Sequence, residues 1–292
     1  MKPLTDFVKK TLILDGAMGT FLQQSGLPEG TPSCLWNLRN PEAVRQAHQR
    51  YHRAGSQAVL TNTFCASRMF LDRDGLLENL KKINETGVQL ARQAVGETGW
   101  VLGDIGPTGM QGPASQQTFE RQVALFSEQL EVLIGCGVDG IVMETLGSLE
   151  EIRAALAAAE RLCVQEPLVL LITVVQKGKG FFEPDPVAAA KIVEENHRVS
   201  VLGVNCSEGP ETVLTALKQM ASVTQRPLLA KPNAGLPARV ADRWTYPISP
   251  QQMGVYAPKF VEAGARWIGG CCGTDPDHIR AITKSLSEMP SF

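Results

Sequence analysis

Short runs of mostly apolar residues alternate along the chain with longer segments in which apolar positions recur at helical spacing. The short runs are rich in β-branched and aliphatic residues, and most of them end in Gly, Asn or Asp, which is typical of buried strands of a parallel sheet. The eight predicted strands cover residues 11–16, 57–63, 100–106, 140–145, 167–175, 200–206, 227–233 and 266–272.

Helical periodicity fills the segments between these strands. The predicted helices cover residues 41–54, 77–95, 118–136, 149–159, 186–196, 211–220 and 250–263. After the last strand, Asp275-Pro276-Asp277 is typical of a helix N-cap followed by proline in the first turn. The longest irregular segments, residues 99–117 and 232–250, are expected to be functional loops.

Eight β/α units predict a (β/α)8 barrel of the TIM type. An open, doubly wound sheet is the alternative, because the number of strands alone does not prove that the sheet closes. With 292 residues, of which 43% are hydrophobic, the chain is long enough for one large core. We therefore expect a single domain over residues 1–292.

Charge and terminal composition exclude several classes of function. The chain has 28 basic and 30 acidic residues, so no excess of positive charge favours nucleic acid or anionic lipid as a partner. The N-terminal MKPLTDFVKK has charged residues where a signal peptide is apolar, and the longest apolar run, residues 168–175, is too short to span a membrane. We expect a cytoplasmic protein that acts on a small neutral or zwitterionic substrate.

Three of the cysteines fall at predicted strand ends. An odd number of cysteines, seven in all, in a large chain disfavours a disulfide framework. Cys206 ends the sixth strand, while Cys271 and Cys272 end the eighth, and in a (β/α)8 barrel these ends share one rim. Three cysteines and one exchangeable position are the arrangement of a catalytic zinc site.

Adjacent residues on a regular strand point to opposite faces, so Cys271 and Cys272 can bind one ion only if the chain turns sharply. Gly269, Gly270 and Gly273 provide that freedom. Two alternatives remain: the pair consists of small buried hydrophobic residues, or it is a redox-active vicinal dithiol.

The remaining cysteines and the histidines are interpreted more simply. Ordinary packing is expected for Cys34, Cys65, Cys136 and Cys163. His48 and His52 are one turn apart and are expected on a solvated helix face. His197 and His278 also lie away from strand ends, so no histidine is favoured as a ligand or base.

Polar residues end most of the other strands. They are Asp15 after the first strand, Asn62 and Thr63 after the second, Asp104 after the third, Glu144 after the fourth, and Lys231 and Asn233 after the seventh. Asp15 and Glu144 could be strand-end caps, but on the rim of a metal site they suit a substrate ammonium group. The backbone N–H groups of Gly16 and Ala17 suit its carboxylate. We therefore expect an amino acid substrate that carries a soft donor atom.

Five motifs resemble one known family. They are LDGAMGT at 14–20, TNTF at 61–64, GVNC at 203–206, KPNAG at 231–235 and GGCCGT at 269–274. Over essentially the whole chain they resemble the homocysteine S-methyltransferase family. Within it, the likeness is greatest to the homocysteine-binding module of cobalamin-dependent methionine synthase.

The resemblance implies a (β/α)8 barrel that binds zinc through Cys206, Cys271 and Cys272, with the homocysteine sulfur in the fourth position. It implies that Asp15 and Glu144 hold the amino acid end of homocysteine, and that Asn233 lines or occupies the fourth position before substrate arrives. The predicted substrate-binding residues are Asp15, Gly16, Ala17, Thr63, Glu144 and Asn233.

Thiol chemistry then gives the expected mechanism. Zinc coordination releases the proton of a thiol at neutral pH, and four thiolates leave the centre with a formal charge of about −2, so the bound sulfur stays nucleophilic. It attacks a methyl group in line, and no general base on the protein is required.

The methyl donor implied by the resemblance is methylcobalamin or another methylcorrinoid. Betaine is disfavoured, because Cys65 and Thr145 stand where an aromatic cage for a quaternary ammonium is expected. Full methionine synthases continue into folate, cobalamin and activation modules, so we expect a separate corrinoid protein, or further modules, as partner. The alternatives are an S-methylmethionine-dependent enzyme, a non-catalytic subunit that presents homocysteine, and a metal-free redox protein.

Overall fold

Eight parallel strands form one sheet in the computed structural model, which describes residues 4–8, 10–73, 75–110, 115–178, 180–240 and 243–289. In chain order, the first to the eighth strand are Leu12–Ile13, Ala58–Leu60, Trp100–Ile105, Gly140–Leu146, Leu168–Ile172, Val199–Cys206, Leu228–Pro232 and Ala265–Ile268. Each strand pairs with its sequence neighbour, and the eighth pairs with the first. A parallel bridge between Leu14 and Ala58 joins the first strand to the second. The predicted (β/α)8 barrel is confirmed, and the open sheet is wrong.

The helices surround the barrel and connect successive strands. They are Met18–Gln24, Trp36–Arg39, Pro41–Arg53, Arg68–Arg73, Leu80–Val95, Gln116–Gly135, Leu149–Arg161, Pro186–Glu194, Pro210–Ala221, Pro250–Glu262 and Pro276–Ser287, with 3-10 helices at Leu4–Phe7, Ser33–Leu35 and Leu77–Asn79. The seven predicted helices and the predicted N-cap at Asp275 are confirmed. The helices Met18–Gln24, Trp36–Arg39 and Arg68–Arg73 were missed, because they are too short to show a clear period.

Two hairpins lie outside the barrel. Val175–Gly178 pairs with Phe181–Glu183, and Ala238–Val240 pairs with Arg243–Thr245. The predicted strand over residues 167–175 therefore spans two elements, a buried barrel strand that ends at Ile172 and the exposed start of the first hairpin. The second hairpin lies within residues 232–250, which the sequence predicts to be irregular.

Apolar side chains fill the barrel in one cluster that includes Leu12, Leu102, Val169, Leu171 and Trp267. A larger cluster lies between the strands and the helices. Both faces of the strands are thus buried, which explains why they appear in the sequence as continuous apolar runs rather than alternating ones. Within the described residues, no helix combines the length and apolar character needed to cross a bilayer.

Candidate metal centre and active site

Three thiols meet at the carboxyl end of the barrel. The sulfur atoms of Cys206, Cys271 and Cys272 all lie within 4.8 Å of one another, and the Sγ atoms of Cys206 and Cys271 are 2.7 Å apart. None of them forms a disulfide. The structure therefore brings together the three cysteines that the sequence assigns to zinc.

A turn after the eighth strand places Cys271 and Cys272 side by side. The strand ends at Ile268, and the N–H of Cys271 donates to Pro232 O at 2.8 Å, which ties the chain to the seventh strand. Gly273 then has φ +81°, and a Cβ at this position would lie 2.1 Å from the ring of Tyr246. Only glycine fits both the backbone conformation and the available space.

The donor set fits zinc. Zn–S bonds of about 2.3 Å in a tetrahedron separate the sulfurs by roughly 3.8 Å. The 4.8 Å limit on the three sulfurs admits that spacing, and the sulfurs of Cys206 and Cys271, which are 2.7 Å apart, would move apart to reach it. The thiols of Cys206 and Cys271 hydrogen-bond to Cys272 and lower its pKa, while the pKa values of Cys206 and Cys271 themselves are raised, so one of the three sulfurs is favoured as a thiolate. Three cysteines leave one coordination position for an outside ligand, as catalytic zinc sites do.

Asn205 supports the sulfurs from behind. Its Oδ1 accepts from Thr145 N at 2.9 Å and its Nδ2 donates to Thr145 Oγ1 at 2.7 Å. The same Nδ2 lies 3.8 Å from Cys206 Sγ and 3.9 Å from Cys271 Sγ. Thr145 and Cys206 have φ values of +63° and +51°, which are unfavourable for residues other than glycine, and this network holds them there.

A cavity of about 290 Å³ opens over the sulfurs. Of the residues predicted from the sequence, its wall contains Asp15, Gly16, Ala17, Glu144, Cys206, Cys271 and Cys272. The wall also contains Asp104 and Lys231, which end strands in the sequence but received no predicted role. The metal centre and the carboxylates thus share one chamber.

Buried charge is concentrated in this wall. Glu144 Oε2 lies 3.1 Å from Lys231 Nζ, and both side chains are buried. Burial opposes the charge of Lys231, but Glu144, Cys271, Asp104 and Asp15 outweigh it and keep its pKa well above the usual value. Burial also raises the pKa of Glu144 and of Asp104. Lys231 thus interacts with several acidic groups at once.

Asp15 contributes to the hydrogen bonding of the barrel as well as to the wall of the cavity. Its Oδ2 accepts from Leu60 N at 2.9 Å, so the carboxylate continues the ladder between the first two strands beyond Ile13. Its buried Oδ1 has no hydrogen-bond partner among the described residues. Burial raises the pKa of Asp15 to about 7, while Lys231 and the Leu60 N–H oppose the shift.

Three residues that were predicted to bind substrate, Thr63, Ala17 and Asn233, have surroundings that differ from the predicted ones. Thr63 is buried outside the cavity wall, and its hydroxyl donates to Asp104 O at 2.6 Å. The N–H of Ala17 already donates to Thr274 Oγ1 at 3.1 Å and is not free for a carboxylate. Asn233 donates to Ser207 O at 2.8 Å, lies outside the cavity wall and keeps a buried Oδ1 without a partner in the described chain.

Two other sequence interpretations are wrong. His48 is not on a solvated face: it is fully buried, and burial lowers its pKa to about 3. It faces inward because helix Pro41–Arg53 packs on the barrel with Val44, His48 and Tyr51 on one side. Cys163 is exposed rather than packed, since it follows the end of helix Leu149–Arg161 with φ +51°.

Comparison with known proteins places these observations in a family. A family model described as homocysteine S-methyltransferase matches residues 12–286. Methionine synthase of Mycobacterium leprae is 29% identical over 97% of this chain and 25% of its own length. Betaine–homocysteine S-methyltransferase 1 of Pongo abelii is 30% identical over 96% of this chain and 73% of its own length.

The chain spans about a quarter of the length of the methionine synthase relatives. Among solved structures, the metallated form of the homocysteine methyltransferase MmuM from Escherichia coli superimposes with a TM-score of 0.79 at 26% identity, over 97% of this chain and 99% of that one. A dihydrodipicolinate synthase with a TM-score of 0.54 and 11% identity shares the fold alone.

We predict that Asn205→Ala weakens zinc binding about 10- to 100-fold, because the sulfurs lose the neighbouring N–H group and Thr145 loses its partner. Competition with a chromophoric chelator measures the affinity. Cys206→Ala should lose stoichiometric zinc altogether, and Cys163→Ala, at an exposed position, should bind zinc like the parent. An unchanged zinc affinity in Asn205→Ala would contradict the supporting role.

We predict that Asp15→Asn stabilises the substrate-free protein at high pH. The folded state holds the Asp15 proton up to about pH 7, whereas the unfolded chain releases it near pH 3.8. The contribution of Asp15 to the free energy of unfolding is therefore fully present below pH 3.8 and is lost as the pH rises through 7. Asparagine does not titrate, so the variant does not lose this contribution. The unfolding free energy of the variant relative to the parent should therefore grow by on the order of 2–4 kcal/mol from pH 4 to pH 8. Urea unfolding at fixed zinc concentration measures it, and a difference that does not vary with pH would refute the assignment.

Proposed function

Because the chain belongs to the homocysteine S-methyltransferase family, we propose that it is a zinc-dependent enzyme that transfers a methyl group to the sulfur of homocysteine and so forms methionine. The observation that carries this proposal is the shared chamber: three convergent thiols and a cluster of buried carboxylates line the same cavity. Homocysteine carries the two groups that such a chamber suits, a thiol at one end and an ammonium group at the other.

Cys206, Cys271 and Cys272 would hold the ion and leave a position for one more sulfur. Bound there, zinc would supply the acidity that keeps a thiol deprotonated, and therefore nucleophilic, at neutral pH. The chain then needs no general base for the thiol. Asn205 and Thr145 keep the cysteine sulfurs in place while the donor is exchanged.

The buried carboxylates would bind the ammonium group of the substrate. Glu144 pairs with Lys231, and Asp15 and Asp104 lie close enough to interact with the same lysine. Burial raises the pKa of all three carboxyl groups although Lys231 opposes the shift. A substrate ammonium group would add the missing positive charge. It would also find two oxygens, Asp15 Oδ1 and Asp104 Oδ1, that have no hydrogen-bond partner within the described residues. The N–H of Gly16 remains the proposed contact for the substrate carboxylate.

We propose a methylcorrinoid, delivered by a partner protein or by further modules, as the methyl donor. The methionine synthases of two mycobacteria support this choice, because their similarity covers 97% and 96% of this chain. A neighbouring cavity shares Thr20 and Gln23 with this one and is lined by Trp244 of the second hairpin. Val240 and Trp244 are exposed on that hairpin. A large carrier could approach from that side.

A small methylated cation such as S-methylmethionine is the second candidate donor. It is favoured by the match to MmuM, a homocysteine methyltransferase that this chain covers over 99% of its length. Betaine, which is in the name of another relative, is less favoured. A quaternary ammonium needs several aromatic rings, and among the described residues of the cavity wall Phe64 is the aromatic one.

A donor panel tests the proposal. We predict that the zinc-loaded protein methylates homocysteine with methylcobalamin, that chelation abolishes turnover, and that zinc restores it. Rapid methylation with S-methylmethionine and none with methylcobalamin would select the second donor. A subunit that only presents homocysteine would show no turnover with any donor, and a protein without stoichiometric zinc would contradict the mechanism.

We predict that Asp15→Asn raises the KM for homocysteine about 10- to 100-fold while its zinc content stays unchanged. The variant loses one charged hydrogen bond to the ammonium group, worth about 1.5–3 kcal/mol. Steady-state kinetics with a saturating donor and metal analysis of the same preparation measure both quantities. A KM equal to that of the parent would remove Asp15 from the substrate site.

A further inference from the structure

A pair of cysteines outside the thiol cluster lies beside the cavity, each next in the chain to a residue of the cavity wall. Cys34 is in the 3-10 helix Ser33–Leu35, and Cys65 follows the second barrel strand. Cys65 Sγ accepts hydrogen bonds from the thiol and from the backbone N–H of Cys34. It also lies 3.9 Å from Ser33 Oγ. Three donors therefore surround one sulfur.

The two thiols differ in exposure. Cys34 is fully buried in an apolar cluster with Leu35, Ala66 and Leu71, whereas Cys65 is only partly buried against that cluster. The hydrogen bonds from Cys34 lower the pKa of Cys65 to about 7, so much of it is thiolate at neutral pH. A partly exposed thiolate beside a sheltered thiol is the arrangement of a redox-sensitive cysteine and its resolving partner.

We propose that Cys34 and Cys65 form a redox-active dithiol that hydrogen peroxide converts into a disulfide. The Cys65 thiolate attacks the peroxide O–O bond, which gives a sulfenic acid on Cys65 and releases hydroxide. The Cys34 sulfur then attacks the Cys65 sulfur, the S–O bond breaks, the S–S bond forms, and the hydroxyl leaves as water with the Cys34 proton. Two thiols are oxidised, and one peroxide is reduced to two waters.

The disulfide would act on the cavity through the residues next to each cysteine. Ser33 and Phe64, the chain neighbours of Cys34 and Cys65, both line the cavity. Asn62, in the same wall, donates to Ser33 O at 2.8 Å and to Asn37 Oδ1 at 2.9 Å. Drawing the two sulfurs into a bond displaces these segments relative to each other. We expect weaker homocysteine binding, a consequence that rests on the proposed function.

Peptide mapping tests the disulfide directly. The zinc-loaded protein is treated with one equivalent of hydrogen peroxide, quenched with catalase, alkylated and digested without reduction. We expect a peptide pair linked through Cys34 and Cys65, with zinc still bound and the exposed Cys163 alkylated. If Cys34 and Cys65 stay alkylated while Cys163 or the zinc cysteines are oxidised, the proposal is wrong. This measurement requires no turnover, so its failure is distinct from a failure of the proposed function.

Two variants separate the steps. Cys34→Ser should stop the reaction at a sulfenic acid on Cys65, which dimedone traps, and Cys65→Ser should form neither product. Because Cys34 is fully buried, circular dichroism checks that its variant folds, and the Cys65→Ser result stands if it does not. Cys136→Ser, at a cysteine whose pKa burial raises, is the matched control and should be oxidised like the parent.

Kinetics tests the effect on the cavity. After peroxide treatment the KM for homocysteine should rise several-fold in the parent and in Cys136→Ser, but not in Cys65→Ser, and a phosphine reductant should reverse it. A disulfide that forms without any change in KM would overturn the link to the cavity.

Discussion

Three sulfurs can be held within 4.8 Å of one another only if the strands that carry them end on one rim and the chain turns immediately afterwards. The closed barrel supplies the rim, since the sixth, seventh and eighth strands are consecutive neighbours in the sheet. The hydrogen bond from Cys271 N to Pro232 O and the left-handed Gly273 supply the turn. The positions of the cavity and the carboxylates follow from the same arrangement, because they lie at the same end of the barrel as the sulfurs.

The same rim carries more acidic groups than the described cavity wall has cations to pair with them. Asp15 and Glu144 are buried in the same wall as the three thiols, of which Cys272 is favoured as a thiolate, and Lys231 is the cation that faces them in the described wall. Such an arrangement costs stability, because buried carboxylates without sufficient positive charge hold protons that they would release in water. A dication at the sulfurs and an ammonium group at the carboxylates would each reduce that cost. Relief of that cost would thus favour the binding of both ligands.

The sequence predicted the barrel and the thiol cluster because both depend on patterns that local chemistry enforces. Continuous apolar runs follow from strands buried on both faces, and the glycines around Cys271 and Cys272 follow from a turn that only glycine permits. His48 was misplaced because two neighbouring polar residues on a helix suggest solvent, whereas the packing of Val44 and Tyr51 decides which face turns inward. Thr145 and Asn205 stand at strand ends in the sequence, and Asn205 belongs to the GVNC motif, but neither was predicted to support the sulfurs. Their roles arise from hydrogen bonds between residues that are 60 positions apart.

The presence of a cysteine does not by itself indicate whether a site binds a metal or undergoes oxidation. The surroundings of the two cysteine clusters distinguish these two kinds of chemistry. At the end of the sixth and eighth strands three sulfurs converge, so an ion can be shared among them. Around Cys65 there is one other thiol, and the remaining donors are a backbone N–H and a serine hydroxyl, which stabilise a thiolate but bind no cation. Oxidation to a disulfide is the chemistry left to such a pair. The number of sulfurs and the nature of their neighbours, rather than burial or sequence spacing, therefore distinguish the candidate metal centre from the proposed redox site beside the same cavity.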